Sequence, residues 1–311
     1  MTATLWLNRL APHALTIAIG LLVVGCALIE PAFLKPENLI GILRSVVLVG
    51  IMAVCMTFVI MTGGIDLSVG PVLALSGVVA FFVLDGGWGL PLAVLAGLTL
   101  GVAVGLLNGV VIAFMELPAV IVTLATLSVV RGSALMIGGP DLHSIRDQPA
   151  YAFIGTGTLL GLSFSIYLFA ALAAVMVGVQ RLTPVGICVT AIGENQRAAY
   201  LSGHHTRLTK ALLYGVSSFG AALAGIIQSS QVHTASATYG EFGTELDVIA
   251  AVVLGGANLM GGAGSILRTL LGVMFLGVLN NAMNILNMPI DIQLIAKGIV
   301  IALSLAVAQR R

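Results

Sequence analysis

The sequence predicts an all-α polytopic membrane protein with about ten transmembrane helices, some of them broken or re-entrant. Charged residues make up only 8% of the 311 residues, whereas an ordinary soluble domain carries about 25%. Hydrophobic residues make up 59%, and the chain holds 38 glycines. Too few polar side chains remain to cover a soluble surface, and the hydrophobicity excludes a disordered chain. A net charge of +1 without a basic cluster also excludes a nucleic-acid-binding protein.

Apolar runs, taken in order along the chain, give the predicted helices. A helix that crosses the hydrocarbon core needs about 20 mostly apolar residues. Glycine, proline or a charged residue closes most of the runs, because such residues end helices or are costly in a bilayer. The run that begins at Leu246 is short, so it is predicted either to span or to re-enter. The ten runs cover residues 12–29, 39–61, 69–84, 90–115, 119–137, 160–179, 211–227, 246–260, 266–285 and 290–308.

Lysine and arginine give the predicted orientation, since cytoplasmic loops carry an excess of both. With ten crossings and a cytoplasmic N-terminus, only Lys35 and Arg146 fall on the outer side. We therefore expect one transmembrane domain over residues 1–311, with both termini in the cytoplasm. A cytoplasmic loop is expected at about 181–210. The basic residues on the predicted inner side are Arg9, Arg181, Arg197, Arg207, Lys210, Arg268, Arg310 and Arg311.

The sequence holds no motif of an enzyme or a cofactor site. Cys26, Cys55 and Cys188 are isolated and are predicted to be small buried side chains. No metal-ligand spacing occurs, and His204 and His205 are expected to be solvated rather than metal-bound. No G-x-x-x-x-G-K-[ST] loop occurs either, so this chain is not expected to bind a nucleotide in that way. We expect no metal, no cofactor and no catalytic residue.

A glycine-rich break at residues 62–71 separates the second and third runs, and Asp66 lies inside it. A carboxylate near hydrocarbon is costly unless it is paired or wetted. Asp66 or Ser68 can cap the helix that follows, as a structural reading of the break. A direct role of Asp66 in gating or substrate passage is the alternative. Both readings stay open at this level.

Asparagines interrupt two apolar runs, at Asn108 and at Asn280–Asn281. Their amides are predicted to form hydrogen bonds between helices, or to meet the hydroxyls of a passing solute such as a sugar.

A faint internal sequence similarity links the two halves, because Met61-Thr62-Gly63-Gly64 resembles Leu259-Met260-Gly261-Gly262. Transporters often contain such repeats, with the substrate path between them.

A short helix is predicted within the cytoplasmic segment. Asn195 is a candidate N-cap, Ala198 and Ala199 favour helix, and Gly203 provides a C-terminal stop. A helix of this length is not stable alone. We therefore expect it to dock, either on the membrane interface, where basic residues suit anionic headgroups, or on a cytosolic partner.

Five segments together form a specific set of motifs: Thr62-Gly63-Gly64-Ile65-Asp66-Leu67-Ser68-Val69-Gly70, Pro118 to Leu127 with Arg131-Gly132, Ala191-Ile192-Gly193-Glu194-Asn195, Glu245-Leu246-Asp247 through Gly256, and Gly261-Gly262-Ala263-Gly264-Ser265-Ile266. As a set, these segments resemble the sugar-type permease subunits of bacterial ABC importers, the group of ribose, xylose and galactose permeases that also includes autoinducer-2 permeases. The resemblance covers about residues 32–306. The chain departs from the family pattern at Arg268, where glycine is usual, and at Glu194, where glycine or a small polar residue is common.

The resemblance implies a permease that moves a pentose- or hexose-like monosaccharide across the bacterial inner (plasma) membrane. A separate cytosolic ABC ATPase would supply the energy, and a periplasmic sugar-binding protein would deliver the sugar. The permease would form a homodimer, or a heterodimer with a sister permease. The implied ATPase-coupling residues are Glu194, Asn195, Arg197, Ala198, Ala199, Ser202 and Gly203. The residues predicted to shape or line the substrate path are Asp66, Ser68, Asn108, Asn280 and Asn281.

An ion- or proton-coupled secondary transporter of a small polar solute is the alternative function. Such a transporter needs a relay of ionisable groups within the membrane. Asp66, Arg131 and Lys297 are the candidates in the sequence, and they are widely scattered.

Overall fold

The computed structural model describes residues 14–145, 148–241 and 243–308. Within those residues the chain forms thirteen α-helices, one 3-10 turn at Pro31–Leu34, and four two-residue strands. The helices are α1 (Ala14–Ile29), α2 (Pro36–Ser45), α3 (Val47–Met61), α4 (Val69–Asp85), α5 (Leu90–Phe114), α6 (Ala119–Gly138), α7 (Pro149–Thr156), α8 (Phe164–Leu182), α9 (Pro184–Leu201), α10 (Thr206–Val232), α11 (Thr244–Leu254), α12 (Ile266–Ile285) and α13 (Ile290–Ala308). Two antiparallel pairs join β1 (His143–Ser144) to β4 (Thr234–Ala235), and β2 (Thr158–Leu159) to β3 (Leu162–Ser163).

Helix α3 lies at the centre of the core. It is apolar on all sides, and thirteen of its 15 residues are buried, as expected for a helix without a polar face. Helices α10, α11 and α12 pack against it. Its one polar side chain in the middle, Thr57, forms a hydrogen bond of 2.9 Å with Thr269 of α12. The central helix is therefore tied to α12 by a specific polar contact within an apolar core.

Helices α5 and α10 lie backbone against backbone. A Cβ atom at Gly105 or at Gly109 of α5 would overlap the carbonyl oxygen of Tyr214 or of Ala211 in α10. Small residues allow such close approach of helices in a membrane. At these two positions the backbone of α5 therefore lies directly against the backbone of α10.

The helical, multi-pass character of the protein is confirmed by helix length and composition. Five described helices are long and apolar enough to cross a membrane, namely α5, α6, α8, α10 and α12. Helices α2 and α3 together form a sixth candidate span, bent by 43°. Helices α1 and α4 are apolar but shorter, with 16 and 17 residues. The ten crossings and the cytoplasmic termini stay predictions, and four of the basic residues used for the orientation lie outside the described residues: Arg9, Arg146, Arg310 and Arg311.

The segment at 181–210 is mostly helical, so helix extends well beyond the short helix predicted within it, and its cytoplasmic location stays a prediction. Helix α8 continues to Leu182, and α9 begins at Pro184. The Thr183 hydroxyl accepts a hydrogen bond from the Val185 N–H at 3.3 Å. Pro184 stands at the first helical position, where no N–H is needed. Small and apolar residues then bury Cys188 and Ile192, and the overall polarity of the segment concealed this stretch.

Candidate functional site

A buried polar network surrounds Asp66 in the break between α3 and α4. Asp66 is fully buried. Its Oδ1 accepts hydrogen bonds from the Ser68 N–H at 3.0 Å and the Ser68 hydroxyl at 2.6 Å. Its Oδ2 accepts one from the Ser217 hydroxyl of α10 at 2.8 Å. Asp66 is therefore the capping group of the turn that leads into α4, and the Ser68 side chain is a donor to it rather than a cap.

The Asp66 network continues through Asn108 to two further helices. The Asn108 side-chain amide of α5 donates to the Ser68 hydroxyl at 3.1 Å. The Asn108 side-chain oxygen, Oδ1, accepts a hydrogen bond from the Thr126 hydroxyl of α6 at 2.5 Å. Three of the predicted path residues, Asp66, Ser68 and Asn108, therefore lie together, and they join α4, α5, α6 and α10.

Three glycine-rich segments that are distant in sequence meet at one point. The Gly262 N–H donates to the Met61 carbonyl oxygen at 2.9 Å. A Cβ atom at Gly193 would overlap that carbonyl oxygen and the Gly262 nitrogen, and a Cβ at Gly261 would lie 2.9 Å from the Gly193 Cα. Gly261 and Gly262 have φ angles of +93° and +83°, which favour glycine. We call residues 61–64, 193 and 261–264, with Gln180, the glycine junction.

Gln180, at the end of α8, ties the glycine junction to α12. Its Nε2 donates to the Gly264 carbonyl at 3.1 Å, and its Oε1 accepts from the Ile266 N–H at 2.9 Å. Ser265 stands at the N-cap of α12 but forms no side-chain cap, so Gln180 satisfies a free N–H of the first turn in its place. Sequence reasoning had no signal for this role, because a lone glutamine at a helix end is common.

The predicted short helix is present as the second half of α9. Asn195 breaks α9 with φ −159° and ψ 98°, and its Oδ1 accepts from the Ala198 N–H at 3.0 Å. The helix ends at Leu201, and Gly203 follows with φ +90°. Both the Asn195 N-cap and the Gly203 stop are confirmed. We call residues 195–201 the short helix.

Most of the predicted coupling residues are exposed on or beside the short helix, where they are available to a partner: Glu194, Asn195, Arg197, Ala198, Ser202 and Gly203. Ala199 differs, because it is 4% exposed and packs with Cys188 and Ile192. Sequence reasoning missed Tyr200 and Leu201, whose side chains are 65% and 77% exposed. Large exposed apolar side chains at the end of a short helix suit docking either on a partner protein or on the membrane interface.

A cavity of about 280 Å³ lies between α2–α3, α11, α12 and α13. We call it the amide cavity, after the side chains that line it together with the charged pair Asp247 and Lys297: Asn280, Asn281, Asn284 and Gln293. Asn281 is paired in both directions with Asn38, at 2.8 and 3.0 Å. The Asn280 Oδ1 is buried and has no hydrogen-bond partner among the described residues. The last two predicted path residues, Asn280 and Asn281, therefore belong to this cavity and not to the Asp66 network.

The three ionisable candidates for a transport relay have separate partners. The Arg131 guanidinium of α6 donates to the backbone carbonyls of Ala237, Tyr239 and Gly240. The Lys297 ammonium lies 3.1 Å from the Asp247 carboxylate, and Asp66 is held by serines. No hydrogen bond or ion pair of the described residues joins any two of Asp66, Arg131 and Lys297, so the geometry gives no support to a relay.

Comparison with known proteins agrees with this architecture. Residues 38–305 match the family model described as "Branched-chain amino acid transport system / permease component".

The ribose import permease protein of Haemophilus influenzae is 39% identical over 92% of this chain and 89% of its own length. The L-arabinose ABC transporter permease protein of Azospirillum brasilense is 36% identical over 92% of this chain and 84% of its own. The galactofuranose transporter permease protein of Escherichia coli is 32% identical over 95% and 89%. No solved structure matches. With a family match over most of its length and these relatives, the chain belongs to the permease subunits of sugar ABC importers.

Proposed function

We propose that this chain carries a monosaccharide into the cytoplasm across the bacterial inner membrane, driven by ATP hydrolysis on a separate partner chain. The observation that carries the proposal is the short helix, which stands exposed beside the glycine junction. An exposed, capped helix with Tyr200 and Leu201 uncovered is suited to seat on a soluble partner. Relatives named for ribose, L-arabinose and galactofuranose support a sugar as the transported solute.

The proposed partners follow from the same assignment. A cytosolic ABC ATPase would bind the short helix, and a periplasmic sugar-binding protein would deliver the sugar on the opposite side. A second permease, identical or a sister chain, would complete the channel in the lipid. Helices α6 and α8 leave most of their apolar spans uncovered within the subunit, with 17% and 11% buried, so a second permease or lipid would cover them.

The glycine junction supports a direct mechanical link from the ATPase to the transmembrane helices. Gly193 meets Met61 and Gly262 main chain to main chain, so no flexible side chain lies between Gly193 and Gly262 to absorb a displacement. A shift of α9 would therefore be passed to the break after α3 and to the connection between α11 and α12. Those two segments lead to the Asp66 network and to the amide cavity, which we propose shape or line the substrate path.

Uptake by the reconstituted importer tests the proposal. The permease is placed in proteoliposomes with its ATPase and its binding protein, and uptake of radiolabelled D-ribose and L-arabinose is measured with and without ATP. We expect uptake only with ATP and with all subunits present. Sugar uptake by the permease alone, driven by a proton gradient, would instead establish the secondary transporter.

The charges beside the short helix give a prediction for assembly. Changing Glu194 and Arg197 to alanine together removes two exposed charges that would contact the ATPase. Co-purification with the ATPase is therefore expected to weaken about tenfold, which corresponds to a loss of about 1.4 kcal/mol in binding free energy. The permease itself should stay folded, because both side chains are exposed. Pull-down with a tagged ATPase measures the loss. Arg207→Ala is the matched control, since Arg207 is also exposed and its guanidinium already pairs with Glu116 at 2.7 Å. Unchanged assembly of the double variant would contradict the coupling role.

A further inference from the structure

The amide cavity has the size and the chemistry of a site for a small uncharged ligand. Ligand pockets range from about 300 to 1,000 Å³, and at about 280 Å³ this cavity lies at the small end. Asparagine and glutamine side chains line it, and each amide offers both donors and acceptors without a charge. Such a lining suits a compact molecule with several hydroxyl groups.

Asn280 provides the amide that is free to bind a ligand. Its neighbour Asn281 is fully engaged with Asn38, and Asn284 accepts a hydrogen bond from Gln293 at 3.0 Å. The Asn280 Oδ1, by contrast, is buried without a partner among the described residues. A buried acceptor without a hydrogen bond costs free energy, and a hydroxyl donor in the cavity would remove that cost.

The ion pair of Asp247 and Lys297 adds one negative and one positive charge to the cavity lining, so that the lining carries no net charge. Both side chains line it, their charged atoms are 3.1 Å apart, and they are 23% and 22% exposed. A carboxylate accepts from hydroxyl groups and an ammonium donates to them, so the pair can bind a sugar through charge-assisted hydrogen bonds. The pair also joins α11 to α13, so its opening would release α13 from the cavity wall.

We propose that the amide cavity binds one monosaccharide during transport, with Asn280 as a direct ligand and the Asp247–Lys297 pair as its gate. The inference rests on the proposed function, because it places the transported sugar at a defined site. It adds two specificity-determining residues, Asp247 and Lys297, to the predicted path. Helix α12 connects this site to the glycine junction. Along that helix, Asn280 and Ile266 are about 20 Å apart at a rise of about 1.5 Å per residue.

Protection from a thiol reagent tests the site independently of transport. Asn284→Cys, in the wall of the cavity beside the proposed ligand, is placed in the complete importer in proteoliposomes, alone and together with Asn280→Ala. A membrane-impermeant methanethiosulfonate reagent is applied with and without D-ribose, L-arabinose or L-leucine. The native cysteines provide little background, because Cys26, Cys55 and Cys188 are all buried. Leu160→Cys is the control, since Leu160 is 92% exposed in the turn between β2 and β3.

The expected result is slower labelling in the presence of a sugar. At ten times the dissociation constant, a bound sugar should slow the labelling of Asn284→Cys about tenfold and leave Leu160→Cys unchanged. The protection of Asn284→Cys should be lost when Asn280→Ala is also present. Asp247→Asn or Lys297→Gln should abolish the protection, and the reversed pair D247K with K297D should restore part of it. Arg207→Gln, which breaks an exposed ion pair elsewhere, should leave it intact.

The outcomes separate the two proposals. If the unmodified importer takes up a sugar that does not protect the cavity cysteine, the site is wrong and the proposed function stands. If the unmodified importer takes up none of a panel of pentoses and hexoses, the proposed function fails and this inference fails with it. Protection by L-leucine alone would overturn the sugar assignment, because a zwitterion can pair its own charges with Asp247 and Lys297.

Discussion

Replacing Gly193 with alanine is expected to abolish sugar uptake while the ATPase of the assembled importer stays active. The added Cβ would overlap the Met61 carbonyl oxygen and the Gly262 nitrogen and would lie 3.0 Å from the Gly262 Cα. Overpacking against side chains costs about 1–3 kcal/mol, and backbone atoms yield less readily than side chains. We therefore expect α9 to move away from the break after α3, which would separate the ATPase from the transmembrane helices.

ATP hydrolysis and ribose uptake, measured on the same proteoliposomes, identify this uncoupling. Gly178→Ala is the matched control, because Gly178 is also a helical glycine near the end of α8 but has no atom within 4 Å of an added Cβ. That control should keep both activities. Uptake by Gly193→Ala within twofold of the unmodified protein, a difference of about 0.4 kcal/mol, would contradict the role of the junction in coupling.

Replacing Asp66 with alanine is expected to destabilise the folded permease by several kcal/mol. The change leaves the Ser68 N–H, the Ser68 hydroxyl and the Ser217 hydroxyl without their acceptor in a buried site. Each buried polar group without a partner costs about 1–3 kcal/mol. Thermal unfolding in detergent should show a clear fall in the midpoint, together with loss of uptake.

Asp66→Asn separates hydrogen bonding from charge. The side-chain carbonyl oxygen of the introduced asparagine can still accept from Ser68, and its amide can donate to the Ser217 oxygen after that hydroxyl rotates. This variant should therefore keep most of the stability, and Ser217→Ala should lose about 1 kcal/mol. Equal destabilisation by asparagine and alanine would mean that the network needs the negative charge, and not only the acceptors.

The fold class could be predicted from the sequence because it depends on bulk composition. With 8% charged residues the chain can only be stable where lipid covers it. The Asn195 N-cap was also predictable, because a cap is a contact between residues three apart in the chain. Helix α9 before Asn195 was missed, because its short apolar stretch at residues 185–192 lies within a segment that is polar as a whole.

The contacts that assemble the candidate site could not be predicted, because they join distant parts of the chain. The glycine junction brings residues 61–64 against residues 193 and 261–264. The sequence similarity between residues 61–64 and 259–262 did not reveal that these segments are in contact. Asn280 and Asn281 stood out as polar residues in an apolar helix. Lys297 looked like an isolated charge, since nothing local in the sequence reveals that Asp247 lies 3.1 Å away.

The contact between α5 and α10 has a consequence for how the subunit moves. Because the carbonyls of Ala211 and Tyr214 face Gly109 and Gly105, a slide of one helix along the other would drive those carbonyls into residues that carry side chains. We therefore expect α5 and α10 to move as one rigid unit, while the segments around the glycine junction shift relative to them. Spin labels on α5 and α10 should keep a single distance through the ATP cycle, whereas labels on α5 and α9 should change theirs.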